Sequence, residues 1–371
     1  MGYASRMADV GGVARAGGLG RLERLPLRRI VLVALSAGVL GAVVYGSYKT
    51  LTLPEGEAYS ASAWRDFIVL GIAQGAVYAL IALGYTLVYG ILRMINFAHG
   101  EVFMAGAFGS YFFADAWKQS GFMDDQPWLS VALLVLLAMA VSVTVAILLE
   151  RIAYRPLRGA PRLVPLITAI GASLFLQNTF RGLFGSQTRG YPKPTGLEGT
   201  WSILGIPVQK VQVLVLVVAA VAMVALTLFV ARTKTGKSMR TAAEDAEIAS
   251  LMGINVDRVI VTTFVIGGML AGIAGVLFAL TFGNISYFMG FAPGITAFTA
   301  AVLGGIGSIS GAAIGGLTIG LLQSVGPALL LTGINVPSPF QLKDVVTFLI
   351  LILVLLFRPG GILGTGEAEK V

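Results

Sequence analysis

Charged residues are absent from long stretches of this chain. Phe67–Leu92, Leu129–Leu149, Leu163–Phe180, Val211–Ala231 and Val259–Met289 contain none, and Val345–Phe357 is a shorter example. A helix needs about 20 apolar residues to cross the ~30 Å hydrocarbon layer of a bilayer. In lipid every backbone N–H must be satisfied within its own segment, so these stretches predict membrane-spanning helices. The segments between them are polar and predict loops: 49–65, Arg93–Glu101, 118–127, 150–162, a Gly/Pro-broken loop of about 25 residues after Phe184, and 232–258. Val102–Trp117 predicts a further span between two of those loops, and Ile30–Tyr48 predicts a retained N-terminal anchor, its apolar run exceeding the ~7–15 residues of a signal peptide.

The pattern changes near the C-terminus. The run 295–311 is too interrupted by glycine for an ordinary span, and Gly311/Gly315 and Gly316/Gly320 form two small-xxx-small steps that let helix backbones approach closely. This predicts a broken or re-entrant helix pair packed inside protein. The expectation is an all-α fold: a polytopic transmembrane helical bundle of about nine or ten membrane-embedded helices. Its organisation reads as a basic cytoplasmic tail (1–29), an extra anchor span with an external loop (30–64) and a transmembrane domain (65–371).

Composition agrees with a membrane location and removes several chemistries. Only 12% of the 371 residues are charged, against about a quarter in soluble domains. With no Cys and one His, His99, the chain has no thiolate nucleophile, Fe–S site or multi-histidine metal site to offer. Threaded with both termini in the cytoplasm, the bundle puts 18 of its 26 Lys and Arg on the cytoplasmic side. That is the asymmetry of the positive-inside rule, and it accounts for the net charge of +8 without nucleic acid.

One stretch superficially suggests nucleotide chemistry. A-R-T-K-T-G-K-S (231–238) fits a phosphate-binding loop if Ala231 replaces its first glycine. Such a loop follows a strand, whereas the run ahead of this one is long enough to span a bilayer, and no acidic residue ends a strand to serve Mg²⁺. It reads as a basic loop flanking a span, in a chain that does not hydrolyse ATP. The residues after it, 239–258, combine helix formers with Ala243, Ile248, Leu251 and Met252 set among Glu244, Asp245 and Glu247. Gly253 stands where a helix would end and Asn255 where the next would be capped. A short amphipathic cytoplasmic helix between two spans suits docking into a partner's groove. The alternative, a helix lying on lipid, would favour Lys and Arg over four acids.

Four blocks carry a family resemblance: 75–101 (G-A-V-Y-A-L-I-A-L-G-Y-T-L-V-Y-G-I-L-R-M-I-N-F-A-H-G-E), E-R-I-A-Y-R-P-L-R (150–158), 233–260, and A-F-T-A-A-V-L-G-G-I-G-S-I-S-G-A-A-I-G-G (297–316). Together they resemble the permease of branched-chain amino acid ABC importers, collinearly over roughly 65–371. The first 62 or so residues have no counterpart in compact members of that family. The resemblance implies a bacterial inner-membrane subunit that binds no cofactor itself. Its implied partners are a second, related permease, two cytoplasmic ATPases that use ATP and Mg, and a periplasmic or lipid-tethered binding protein. It also implies an ATPase-coupling loop carrying Arg240, Ala243, Glu244, Asp245, Glu247 and Gly253. The N-F-A-H-G-E form resembles the amino acid branch more than the urea permeases, where M-A-H-G-E is expected. Leu, Ile and Val are the favoured cargo; aromatic amino acids and short amides stay open.

Candidate pathway residues follow from polar positions in apolar surroundings. Asn96, His99 and Glu101 either gate the inner mouth or cap the helix that starts at Val102. Tyr78, Tyr85, Thr86 and Tyr89 share a helical face, which either lines a pathway or packs on another helix. Gln177 and Asn178 are amides inside a span and carry the same two readings. Arg151, Arg155, Arg158 and Arg162 are topological anchors or ATPase contacts. An ion-coupled secondary transporter would place acids or His near the midplane, and the long charge-free spans hold none.

Overall fold

A computed structural model describes residues 24–54, 57–161, 163–203, 205–358 and 360–363, without the side chains of 24–33, 35 and 36. Residues 1–23, most of the expected tail, and Arg162 lie outside the described residues. In chain order the helices are α1 (Arg24–Leu51), α2 (Ala61–Leu92), α3 (His99–Gln119), the single turn α4 (Phe122–Asp125), α5 (Pro127–Leu148) and α6 (Leu163–Phe184). After them come α7 (Lys210–Arg232), α8 (Lys234–Glu244), α9 (Ala246–Leu251), α10 (Val256–Phe282), α11 (Phe291–Gly304), α12 (Ile309–Leu331) and α13 (Lys343–Phe357). Two short antiparallel ribbons complete the fold: β1 (Arg189–Gly190) with β4 (Asn284–Ile285), and β2 (Thr200–Ile203) with β3 (Ile206–Gln209).

Seven of the described helical segments are long and apolar enough to cross a membrane: Ala61–Leu92, Pro127–Leu157, Leu163–Phe184, Lys210–Arg232, Val256–Phe282, Ile309–Ile334 and Pro339–Phe357. α3 has the length, 21 residues, but carries Glu101, Asp115 and Lys118. α11, at 14 residues, spans only about 21 Å at 1.5 Å per residue. The chain is thus the expected all-α polytopic bundle, and α11–α12 supply the expected broken pair.

Two compact units are distinguished. One contains residues up to Ala58 together with Ala328–Pro337; the other runs from Tyr59 to Pro327 and resumes at Ser338. In the first, the expected anchor 30–48 lies within α1, Gly46 packs on the backbone of Leu330, and the Gly333 N–H donates to Thr50 Oγ1 at 2.8 Å.

In the second unit α2 and α10 are central. About 72% and 67% of their most apolar windows are buried, against 22% in α6 and α7, whose outer faces are left for lipid or another subunit. Small residues let the central helices approach their neighbours. Gly268 and Gly272 lie on the α5 backbone at Val143 and Ala138, and Gly275 lies on Phe103 of α3. The two small-xxx-small steps of α12 serve different neighbours. Gly311 and Gly315 meet Gly304 and Ala300 of α11, while Gly316 and Gly320 meet Ala79 and Gly75 of α2. Without side chains at these points the helices gain close dispersion contact, the main attraction between helices where lipid is as apolar as leucine.

The two ends of this unit are chemically distinct. At one end Arg93 Nη2 donates to the Ala243 carbonyl at 2.8 Å, and the Arg158 guanidinium joins Glu150 to Asp257. Arg155 also pairs with Asp257, at 3.6 Å, while Arg151 is exposed. At the other end Lys118 binds Asp124 at 2.9 Å, Tyr191 N–H donates to the Gly283 carbonyl at 2.9 Å, and β1 pairs with β4.

Asp124 is the hub of that second end. The Thr195 N–H holds its carboxyl down, at about 2, with further hydrogen bonds from Lys118 and the Thr195 hydroxyl. A folded-state pKa below the unfolded value of ~3.9 contributes stability above that value, which is lost as pH falls through about 2. Amide protection at Thr195 should therefore hold from pH 7 to 4 and fall towards pH 2 in hydrogen-exchange measurements. Unchanged protection at pH 2 would show that Asp124 does not fasten this loop.

Candidate translocation site

The turn between α2 and α3 is the first departure from the expected path. Arg93 takes a left-handed backbone conformation (φ 52) and closes α2 through its N–H to the Tyr89 carbonyl. Residues 94–98 then run back into the bundle before α3 starts at His99. The His99 ring lies against Gly84, eight residues inside the end of α2, which is about 12 Å along the helix. Irregular backbone at this depth is tolerated because it is buried in protein; Ala98, His99 and Glu101 are all at most 2% exposed. The segment read as a surface turn is thus a re-entrant one, and it carries an acid and a histidine inward. The charge-free spans themselves hold no acid or His, so both groups enter from the segment between α2 and α3.

Neither Asn96 nor Glu101 caps α3, whose N-cap is Ala98 with no side-chain hydrogen bond. The Asn96 amide oxygen accepts from the Tyr154 hydroxyl at 2.5 Å. His99 fills a slot between Gly84 and Gly267 and meets the Tyr85 ring edge-on at 4.9 Å between centroids. Glu101 turns towards α6, where its Oε1 accepts from Gln177 Nε2 at 2.7 Å and from the Ser173 hydroxyl at 3.1 Å. Its Oε2 has no hydrogen-bond partner among the described residues. Ser173 is the eleventh of the 22 residues of α6, so this carboxylate lies level with the middle of that helix.

A second helix begins at the same level. Gly290 and Gly294, at the start of α11, pack against Gly100 in the first turn of α3. No room remains between these backbones for side chains. Around the junction lies a cavity of about 250 Å³ lined by Tyr85, Phe97, Glu101, Ser173, Gln177 and Phe291, among others. Three expected residues, Tyr85, Glu101 and Gln177, therefore share one chamber.

The remaining candidates lie elsewhere. Tyr89 lines a small crevice with Tyr85 and Phe298. Tyr78 is buried, and its hydroxyl donates to Gln323 Oε1 at 2.9 Å. Gln323 in turn binds Thr296 and Thr347, tying α2, α11, α12 and α13 together. Thr86 is buried, and Asn178 is exposed with its amide bonded to the Leu174 carbonyl of its own helix. Ser173, Gly290, Gly294 and Gln323 were not singled out from the sequence. Ser173 carries a sequence signal, since it stands four residues before Gln177 on the same helical face. The α11 contribution depends on a long-range contact.

The loop 232–255 also differs in detail from the expected short helix, which begins near 239 and ends at Gly253. Helix starts at Lys234, after Thr233 Oγ1 accepts from the Gly236 N–H at 2.9 Å. It breaks at Asp245, whose carboxylate accepts from the N–H groups of Glu247 and Ile248 at 2.9 and 3.0 Å and so caps α9. A short acid side chain competes well for free helix-start N–H groups, which makes Asp245 a joint. Gly253 ends the element with φ 84, and Asn255 caps α10, as expected. Arg240, Glu244 and Glu247 are exposed, as are Ile248, Leu251 and Met252; Ala243 is half-buried and bonded to Arg93. The strand required ahead of a phosphate-binding loop is replaced by α7.

A polytopic bundle in which two helices start inside the protein beside a mostly apolar chamber holding one buried carboxylate, with a helical element exposed at one end, fits a membrane transport subunit. The chain belongs to the family described as branched-chain amino acid transport system / permease component, whose model matches residues 67–355. It is 46% identical over 306 residues to the high-affinity branched-chain amino acid transport system permease protein LivH of Escherichia coli strain K12, covering 81% of this chain and 96% of that one. Identity to BraD of Pseudomonas aeruginosa is also 46%, over 82% and 97% of the two chains. A probable branched-chain amino acid permease of Methanocaldococcus jannaschii is 27% identical over 79% of this chain and 92% of its own. Family membership removes the ion-coupled transporter alternative, which the buried acid alone would have reopened.

Proposed function

We propose that this protein is the membrane-spanning subunit of an ATP-driven importer that carries branched-chain amino acids across a bacterial inner membrane. The observation that carries the reading is 46% identity, over 81–82% of this chain and 96–97% of theirs, to permeases of that description. ATP and Mg are used by two separate ATPase subunits. A second permease completes the conduit, and a binding protein delivers cargo from outside. The N- and C-termini and the Arg93 end face the cytoplasm.

In this reading α8–α9 seat on an ATPase. Their unpartnered apolar residues Ile248, Leu251 and Met252 (Leu251 is 84% exposed) and the acids Glu244 and Glu247 suit a groove with an apolar floor and basic rim. The Arg93–Ala243 hydrogen bond gives movement of α8 a direct handle on α2, which carries Tyr85. ATP-dependent leucine uptake in vesicles should require this chain, its partner permease and the ATPases together. Uptake driven by an ion gradient with the ATPases omitted would reject the proposal.

A further inference from the structure

The chamber beside Glu101 has the chemistry of an amino acid site. One Glu101 oxygen is fixed by Ser173 and Gln177, which aims the carboxylate, while the other has no partner among the described residues. An ionised carboxylate buried among mostly apolar groups is costly unless a positive charge answers it. Among the described residues, no Lys, Arg or His lines the cavity. The nearby positive potential comes from the N-termini of α3 and α11, neither of which has a side-chain cap. The start of α11 is close to the free oxygen, since a side-chain carbon on Gly290 would lie 2.7 Å from Glu101 Oε2. The remaining wall is apolar, including Phe97, Ile170, Leu174 and Phe291.

We infer that the chamber is a transient binding site for the transported amino acid. Glu101 Oε2 receives its α-ammonium group, the start of α11 faces its carboxylate, and the apolar wall takes its side chain. The inference rests on the importer reading above. Size agrees: about 250 Å³ is roughly eight times the ~30 Å³ that a water occupies in the liquid, and leucine has nine non-hydrogen atoms. Position agrees as well, because the chamber lies where α3 and α11 start inside the bundle, and helix starts favour negative charge. A bare metal cation fits poorly, since it would need several oxygen ligands where the wall offers mostly carbon. Ile170, Leu174 and Phe291 are each about half exposed (45%, 54% and 44%), so the chamber opens on the outer face of α6.

The test uses the complete complex in nanodiscs without the soluble binding protein, and measures saturable binding of radiolabelled leucine. Unlabelled 3-methylbutylamine, which keeps the ammonium, should displace it, and 4-methylpentanoate, which keeps only the carboxylate, should not. Glu101→Gln should weaken binding at least tenfold. Ile170→Trp, which fills the cavity from its exposed rim, should do the same and keeps the test decisive if the Glu101 variant fails to fold. Absent binding to the wild-type complex, unchanged binding in either folded variant, or displacement by the acid but not the amine would each overturn the inference. ATP-driven uptake in matched vesicles separates the two readings. Normal wild-type uptake with no effect of Glu101→Gln removes the site alone, whereas absence of wild-type uptake removes the importer reading.

Discussion

Gly320→Leu should abolish the folded protein while leaving the chain inserted in the membrane. Gly320 meets the backbone of Gly75, and Gly71 of α2 lies one turn away against Leu321 and Ser324. Even a methyl group has no space there. Overpacking a well-filled interface costs about 1–3 kcal/mol for a methylene or two. A leucine against backbone cannot be absorbed by rotating side chains, so α12 must separate from α2. That separation also breaks the Tyr78–Gln323 hydrogen bond and the Ser324–Phe67 bond of 2.6 Å. In detergent the variant should lose its monodisperse elution peak, and Gly320→Ala should lower the melting temperature by several degrees. Gly182→Ala is the control, because nothing lies within 4 Å of the carbon it would add; its melting temperature should not fall. A monodisperse, normally stable Gly320→Leu protein would show that this contact does not hold the bundle.

Glu244→Arg has the second largest expected effect, and it is functional. Glu244 is the last residue of α8 and is exposed beside the Asp245 joint, so reversing its charge costs the isolated chain little. If α8–α9 dock into a basic-rimmed groove on an ATPase, an arginine there opposes like charge at the rim and weakens assembly. Co-purification of the ATPases and ATP-driven uptake should both fall at least tenfold, with membrane insertion and helix content unchanged. Leu251→Asp should act in the same direction by placing a charge in the apolar contact. Normal uptake by Glu244→Arg would remove the proposed role of this element.

These two variants act on parts of the molecule that were legible to different degrees. The glycine steps of α12 were visible as spacing, but which neighbour each met was not. Gly311/Gly315 turn to α11 and Gly316/Gly320 to α2 because successive helix positions face different directions. The α8–α9 element was visible as an amphipathic pattern, with its end at Gly253 and the cap of the next helix at Asn255. Its break at Asp245 was not, because the same residue type is compatible with a helix's first turn and with a cap, and only the backbone path selects between them.

The sequence by itself determined what lipid imposes locally. The main spans and the all-helical class follow from stretches of about 20 residues whose hydrogen bonds close within themselves. Tertiary structure alone decided the chamber. Arg93–Glu101 looks like a surface turn in any local window, yet Gly84, Gly267 and Gly290 leave hollows that admit it, and Ser173 and Gln177 meet its carboxylate from 72 and 76 residues away. Burial of an acid inside the bundle depends on partners brought by other helices, and hydropathy along the chain carries no record of them.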